Sequence, residues 1–292
     1  MTAQTNETIQ ETARKWLADG YVDVFVGFRK REDGTAVPVR VSDESAVQQL
    51  VFDDDCVHNL MSYIDLTGDE RVGVMLKGCD GRALVQLVAE GELDRERVKV
   101  LGVVCPGLRS GGAGAAEDGE LHVKCRTCRV NTPPVYDELI EGEAEPWDRD
   151  ADLTEIEEVE AKSHEDRAQE FRGEFEKCIR CYACRDICPL CYCEECVTEK
   201  TRPQWVEVSV KPSSNLYWHL IRAYHLAGRC VECGECDRAC PVDIPLRRLN
   251  RKMAADVERL FGYRSGMDPD ATPAMQEFKE DEEHVLCPGG DA

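Results

Sequence analysis

No stretch of this 292-residue sequence is apolar for long enough to cross a bilayer as a helix; its longest uncharged runs are short and broken by Gly or Pro. Direct membrane insertion is therefore not expected. Positive charge is scarce as well. Lys and Arg number 36 against 58 Asp and Glu, a formal net charge of −22. Such a surface repels phosphate backbones, which argues against nucleic acid as a main partner. No secretory signal is expected at Met1-Thr2-Ala3-Gln4, so the 17 cysteines point to a reducing cytoplasm in which thiols stay free for metal. Nor does any residue set read as a self-contained active site with acid, base and substrate pocket, so whether the chain is itself an enzyme is left open.

What the sequence has in quantity is cysteine, and its spacing is specific. Cys178-x2-Cys181-x2-Cys184-x3-Cys188-Pro189 is followed by Cys230-x2-Cys233-x2-Cys236-x3-Cys240-Pro241. Loops of this length present three thiolates to one cubane, and the fourth Cys of each run ligates the other, as in bacterial two-cluster ferredoxins. Cys178, Cys181, Cys184 and Cys240 are expected to hold one [4Fe–4S] cluster, and Cys188, Cys230, Cys233 and Cys236 the second. Zinc favours two Cys-x2-Cys pairs without the x3-Cys-Pro tail, and a disulfide framework does not suit the compartment. The chain is expected to move electrons.

About forty residues separate the two runs, long for a minimal dicluster domain. They begin with Cys191, Cys193 and Cys196. These three form a candidate further metal site, [4Fe–4S] or zinc, completed by a distant residue such as Cys56 or Cys287; the alternative is a sulfur-rich wall that tunes the first cluster. Trp205 to Val210 alternates like a strand. Asn215 to Ala227 reads as a helix stopped by Gly228, and its His219 and His225 are assigned surface or capping roles. Pro245 to Phe261 reads as a final helix closed by Gly262. Its Arg247, Arg248, Arg251 and Lys252 form a basic stripe, expected to answer carboxylates of the same chain, with an acidic partner as the alternative.

In the N-terminal half, Ile9, Ala13, Trp16 and Leu17 share a helical face ahead of Gly20, and Tyr21 to Phe28 reads as a buried strand. Val72 to Leu76, Arg82 to Ala89 and Val98 to Val104 then read as strand, helix and strand. That spacing is a βαβ crossover, which sets the strands parallel and brings both carboxyl ends to one edge. Cys79 follows the first strand and Cys105 the second, so the two should lie close together. A Gly/Ala-rich stretch, Gly111 to Gly119, leads on to Cys125-x2-Cys128. Cys79, Cys105, Cys125 and Cys128 are thus candidate ligands of a third [4Fe–4S] cluster, with zinc as a rival; the bland alternative is that Cys79 and Cys105 are small buried apolar residues. Lys77 and Arg82 flank Cys79. They are candidate cofactor-binding cations, to be weighed against plain solvated charge.

The order Lys77-Gly78-Cys79-Asp80-Gly81-Arg82-Ala83, Val104-Cys105-Pro106-Gly107, Lys124-Cys125-x2-Cys128 and Pro133-Pro134-Val135-Tyr136-Asp137 resembles the beta-subunit family of deazaflavin-dependent hydrogenases and formate dehydrogenases. The resemblance covers roughly residues 45 to 140. It implies an iron–sulfur cluster beside a flavin, and electron exchange with a soluble hydride carrier. The sequence departs from that family after Cys128, where an acidic segment poor in apolar residues replaces the expected flavin-binding region. Cluster ligation therefore carries over better than FAD.

The expected organisation is an α/β domain with a parallel βαβ core over residues 1–136 and an acidic linker over 137–170, in which 15 of 34 residues are Asp or Glu. A small α+β dicluster ferredoxin-like domain follows over 171–264, then an extended tail over 265–292. The function expected of this arrangement is an electron-transfer subunit of an anaerobic, cytoplasmic oxidoreductase complex. Its partners would be hydrogenase, formate dehydrogenase, heterodisulfide-reductase-like or flavoprotein subunits. The alternative is a flavin-containing catalytic beta subunit acting on a deazaflavin or nicotinamide coenzyme.

Overall fold

The structure, a computed structural model, describes residues 3–109, 120–140 and 144–276. Its elements are α1 (Ala3–Ala18), β1 (Val24–Lys30), β2 (Ala36–Val41), β3 (Val72–Leu76), α2 (Gly78–Ala89), β4 (Val98–Val103), α3 (Val123–Arg126), β5 (Glu138–Ile140), α4 (Thr154–Glu160), α5 (His164–Glu176), α6 (Ala183–Asp186), α7 (Pro212–His225), α8 (Glu235–Arg238) and α9 (Leu246–Phe261). The expected Gly111 to Gly119 stretch and Cys287 lie outside the described residues.

The five strands form one sheet in the order β2-β1-β3-β4-β5. Only the β1–β2 hairpin is antiparallel; Val24 faces Val72, Val72 faces Val98 and Leu101 faces Glu138 in parallel pairs. The β3-α2-β4 crossover is the expected one, and its strands are buried along their length because helices cover the sheet. On α1, Ile9, Ala13 and Trp16 are buried in that core. The helix stops at Gly20, whose φ of +66° suits a residue without Cβ. α2 begins earlier than the sequence suggested. Asp80 accepts the Lys77 backbone N–H at 3.1 Å, so Cys79 sits in the first helical turn rather than in a loop after the strand.

Two further expectations are corrected. The acidic segment 137–170, expected as a linker with helix over Leu153 to Arg167, does carry helix there but is packed rather than solvated. Glu138–Ile140 completes the sheet as β5, and α4 and α5 pack on α9 and α7. The reason is charge: Arg248 lies 3.1 Å from both Glu155 and Glu170, Arg251 lies 3.1 Å from Glu155, and Lys252 lies 2.5 Å from Glu160. The basic stripe of α9 therefore answers the acids of the same chain. Trp205 to Val210 does not form a strand, and no named strand falls among residues 171–264, so this half is built of helices and loops. The alternation is there, but Trp205, Val208 and Val210 stay exposed and find no strand to pair with.

The large core of the N-terminal sheet does not end at the linker. Leu190, Leu226 and Val231 belong to it, and a second, smaller core gathers Phe175, Val206, Trp218, Ile244 and Leu246 around four cysteines. The chain after residue 264 starts docked. Arg82 donates to Ser265 O at 2.8 Å, and Gly266 N donates to Gln86 at 3.0 Å, so close that a Cβ on Gly266 would lie 2.1 Å from Arg82 O.

Candidate iron–sulfur sites

The two ferredoxin-like runs fold alike. At the second and fourth positions after the first Cys, the backbone takes left-handed φ values: 57° at Arg180 and 61° at Tyr182, 61° at Glu232 and 72° at Gly234. These turns point successive N–H groups inward. Arg180 N lies 3.4 Å from Cys178 Sγ, and Glu232 N lies 3.4 Å from Cys230 Sγ. The short helices α6 and α8 that follow pack on each other.

The fourth cysteine of each run lies near thiols of the other run. Burial, and beyond it Cys178, Cys240 and Cys181, pushes the Cys184 thiol up to about 12 against the pull of Arg222. Burial, then Cys233, Glu232 and Cys188, does the same to Cys230, and burial, Glu235 and Cys188 to Cys233, each up to about 12. Cys240 thus lies near Cys178, Cys181 and Cys184 of run one, and Cys188 near Cys230 and Cys233 of run two while its thiol also hydrogen-bonds Cys191.

In the N-terminal half, Cys79, Cys105, Cys125 and Cys128 line a single cavity of about 570 Å³. Asn131, part of no motif and not singled out from the sequence, clamps it. Its backbone O accepts from Gly78 N at 3.3 Å and Cys105 N at 3.1 Å, and its side chain donates to Cys105 O at 3.1 Å. The approach is tight: a Cβ on Gly78 would lie 2.1 Å from Val130 O. Burial, then Cys125, pushes the Cys105 thiol up to about 12.

Lys77 and Arg82 are not solvated surface charge; both are buried. Lys77 Nζ meets Asp80 at 2.7 Å and His58 O at 2.9 Å. Arg82 donates to Val231 O at 3.2 Å and lies 3.7 Å from Glu232, tying α2 to the second cysteine run. Burial works against the Lys77 charge, but Asp80 and then Cys79 outweigh it. Lys124 adds a third buried cation. It donates to Val57 O and lies 3.4 Å from Glu235, which in turn holds Arg238 at 2.8 Å. The result is adjacency: Val231, Glu232 and Cys233 of run two form part of the N-terminal cavity wall.

Cys191, Cys193 and Cys196 share a different cavity, of about 510 Å³, closed by α7. Cys56 does not line it. Cys56 is buried in the N-terminal core, where its sulfur accepts from Asp53 N at 3.3 Å. Of the two histidines, His219 is not at the surface but buried, its ring 4.4 Å from Phe175 and edge-on to Trp218, and burial lowers it to about 3. His225 is exposed at the end of α7 and lines the cavity of the three cysteines. All sixteen described cysteines are free thiols. No three His, Cys, Asp or Glu side chains among the described residues are gathered as a single metal ion requires. No described helix is long and apolar enough to cross a membrane.

Residues 174–244 match the 4Fe-4S dicluster domain family. Over 106 residues the chain is 38% identical to the F420-dependent formate dehydrogenase subunit beta of Methanocaldococcus jannaschii, and over 107 residues it is 36% identical to the F420-dependent formate dehydrogenase 1 subunit beta of Methanococcus maripaludis. These matches take in 36% and 37% of this chain and 27% of each relative. The chain is thus similar, over about a third of its length, to beta subunits of formate dehydrogenase, and it joins that similarity to a 4Fe-4S dicluster domain.

Proposed function

We propose that this chain is an iron–sulfur electron-transfer subunit of an oxidoreductase complex, with Cys79, Cys105, Cys125 and Cys128 holding one [4Fe–4S] cluster and the two crossed sets of the dicluster domain holding two more. Bound there, such clusters supply one-electron carriers of low potential, set by burial, charge and hydrogen bonds to sulfur. The observation that carries the reading is adjacency. The thiol cavity of the sheet domain has Cys233 in its wall, so the N-terminal set and the second-run set are neighbours, with the first run beyond.

The residues around the thiols do the rest. Asn131 fixes the two strand-end cysteines relative to each other, and Lys77, Arg82 and Lys124 offset the negative charge that thiolates and cluster bring into a buried space. Arg82, Lys124 and Arg247 also lock the two halves, the last by a 2.9 Å bond to Thr127 between Cys125 and Cys128. Partner subunits of a formate dehydrogenase or hydrogenase type follow from the similarity to the beta subunits, and a cytoplasmic location is part of the same proposal.

The test is anaerobic reconstitution of the full chain, with iron, sulfide and flavin measured per polypeptide. The Cys79→Ser/Cys105→Ser variant is expected to lose about four irons relative to wild type while both dicluster signals persist. Unchanged iron in that variant would remove the N-terminal cluster. One flavin per chain would replace the electron-transfer reading with a coenzyme-reducing catalytic subunit.

A further inference from the structure

The loop that leaves the first cysteine run folds back beneath α7. Leu190, 2% exposed, anchors it in the large core, and Cys191, Cys193 and Cys196 then line the cavity of about 510 Å³. From α7 the facing residues are Trp218, Ile221, Arg222 and His225, spaced as one helical face. Among the residues lining this cavity, the only side chains able to ligate metal are the three cysteines and His225. No carboxylate lines it.

The charge on the wall points to an anionic guest. Arg185, Arg222 and Arg229 all line the cavity. Arg185 is engaged by Asp186 and Glu199, and Arg229 by Glu90 at 2.9 Å. Arg222 is different. It is 7% exposed, donates to Cys184 O at 2.8 Å, and has no carboxylate partner among the described residues, while its Nε makes no hydrogen bond at all. A buried guanidinium without a counterion is costly unless an anion faces it. The groups that face it are thiols, Cys191 first and then Cys188, Cys236 and Cys184, which supply negative charge when they are metal-bound thiolates.

We propose that Cys191, Cys193, Cys196 and His225 ligate a fourth [4Fe–4S] cluster, beside the dicluster pair and open to the surface. Cys188 hydrogen-bonds Cys191 but also faces Cys230 and Cys233 of the second run, and Cys56 lies in another core, so His225 is the fourth donor that this cavity itself offers. Cys193 and His225 are both exposed, so this site is a port at which electrons enter or leave. The inference stands apart from the N-terminal cluster, because none of its four ligands touches that cavity.

The experiment is iron and sulfide analysis of the anaerobically reconstituted full chain, with EPR of the reduced protein and detection of nitrogen hyperfine coupling. Wild type is expected to carry about sixteen irons, and Cys193→Ser/Cys196→Ser about four fewer with the dicluster and N-terminal signals intact. One reduced cluster should show imidazole nitrogen coupling, lost in His225→Cys with iron content retained. The Cys79→Ser/Cys105→Ser variant reports on the N-terminal cluster alone, so the two claims fail separately. Unchanged iron in Cys193→Ser/Cys196→Ser, with all three loop thiols alkylated in the native wild type, would overturn the site. Loss of iron in that variant without any nitrogen coupling in wild type would overturn His225 as its ligand.

Discussion

The two cysteine runs share a backbone and differ in where they are put. Ile179 of the first run is 54% exposed, while its counterpart Val231 is 2% exposed and belongs to the core of the sheet domain. The fifth position is Tyr182 in one run and Gly234 in the other, and Cys181 is exposed where Cys233 faces a cavity wall. The third position carries Arg180 in the first run and Glu232 in the second. One repeat has been kept as a surface and the other turned into an internal joint. The flanking side chains decide which run faces solvent and which meets the rest of the chain.

The crossing of ligands is the first thing to break. Cys240→Ser should damage the cluster of the first run, although Cys240 is spelled in the second, and Cys188→Ser should damage the cluster of the second. Each change is expected to remove one reduced-cluster EPR signal, or convert that site to a three-iron form, and to cost up to about four irons per chain. If each variant instead lost the signal of its own run, measured against Cys181→Ser and Cys233→Ser as references, the crossed assignment would be wrong.

Burial should then separate the runs by stability. Val231→Asp places a carboxylate in the core and should cost about 3–5 kcal/mol in chemical unfolding, as for an unpaired buried charge. Ile179→Asp should stay within about 0.5 kcal/mol, as exposed changes do. Equal effects would deny the contrast between surface and joint. Gly234→Ala is a milder probe of the same joint. Its φ is +72° and the new Cβ would lie 2.9 Å from Lys124 Cβ, so strain of about 1–3 kcal/mol is expected, whereas Tyr182→Ala, at φ 61°, adds no backbone strain of its own.

Much of this was legible from the chain alone because ligand spacing and strand–helix–strand spacing are local. Cys-x2-Cys-x2-Cys-x3-Cys-Pro fixes a loop, and Val72 to Val103 fixes a crossover. What stayed hidden depended on partners far away in sequence. Asn131 looks like any loop asparagine until Gly78 and Cys105 are seen on either side of it. Lys77 and Arg82 could be read as cofactor-binding or as solvated cations because Asp80, Val231 and Ser265, which bury them, are not adjacent in the motif. That the bases of α9 answer carboxylates of the same chain was expected, but which acids they meet, Glu155 and Glu170 of the 137–170 segment among them, is a fact of three dimensions. Trp205 to Val210 had the alternation of a strand and no neighbour to make it one. His219 lay on the inner face of its helix, where only packing against Phe175 and Trp218 reveals burial.

Charge at the third position should show up in the potentials. Arg180 has no carboxylate partner among the described residues; it stacks over Tyr182 and Trp218 and donates to Ser214 O at 3.0 Å. Glu232 is answered by Arg251 at 3.1 Å and Arg82 at 3.7 Å. Removing an unanswered charge changes the local field more than removing a neutralised one. Arg180→Met should lower the first-run midpoint by on the order of tens of millivolts, while Glu232→Gln moves the second-run midpoint less. A redox titration followed by EPR reads both, and the reverse ranking would show that the ion pairs of Glu232 do not screen it.

The smallest expected difference lies beside the first run and is a matter of protons. Burial lowers His219 to about 3 from 6.5, and neither ring nitrogen finds a partner in its stack with Phe175. The folded state therefore favours the neutral ring, and the unfolded state takes up a proton first as pH falls. Stability from this group is complete above about pH 6.5 and is lost below it, by on the order of 1 kcal/mol per pH unit. His58, near the joint, is also depressed, to about 4, but its ring keeps a 2.9 Å bond to Tyr63. His219→Phe retains an aromatic ring in the stack and removes the titration. Between pH 7.5 and 5.5 the Tm of wild type should fall further than that of the variant, with the gap widening as acid is added. Parallel Tm lines would place the proton uptake on other groups and leave the two runs equally insensitive to acid.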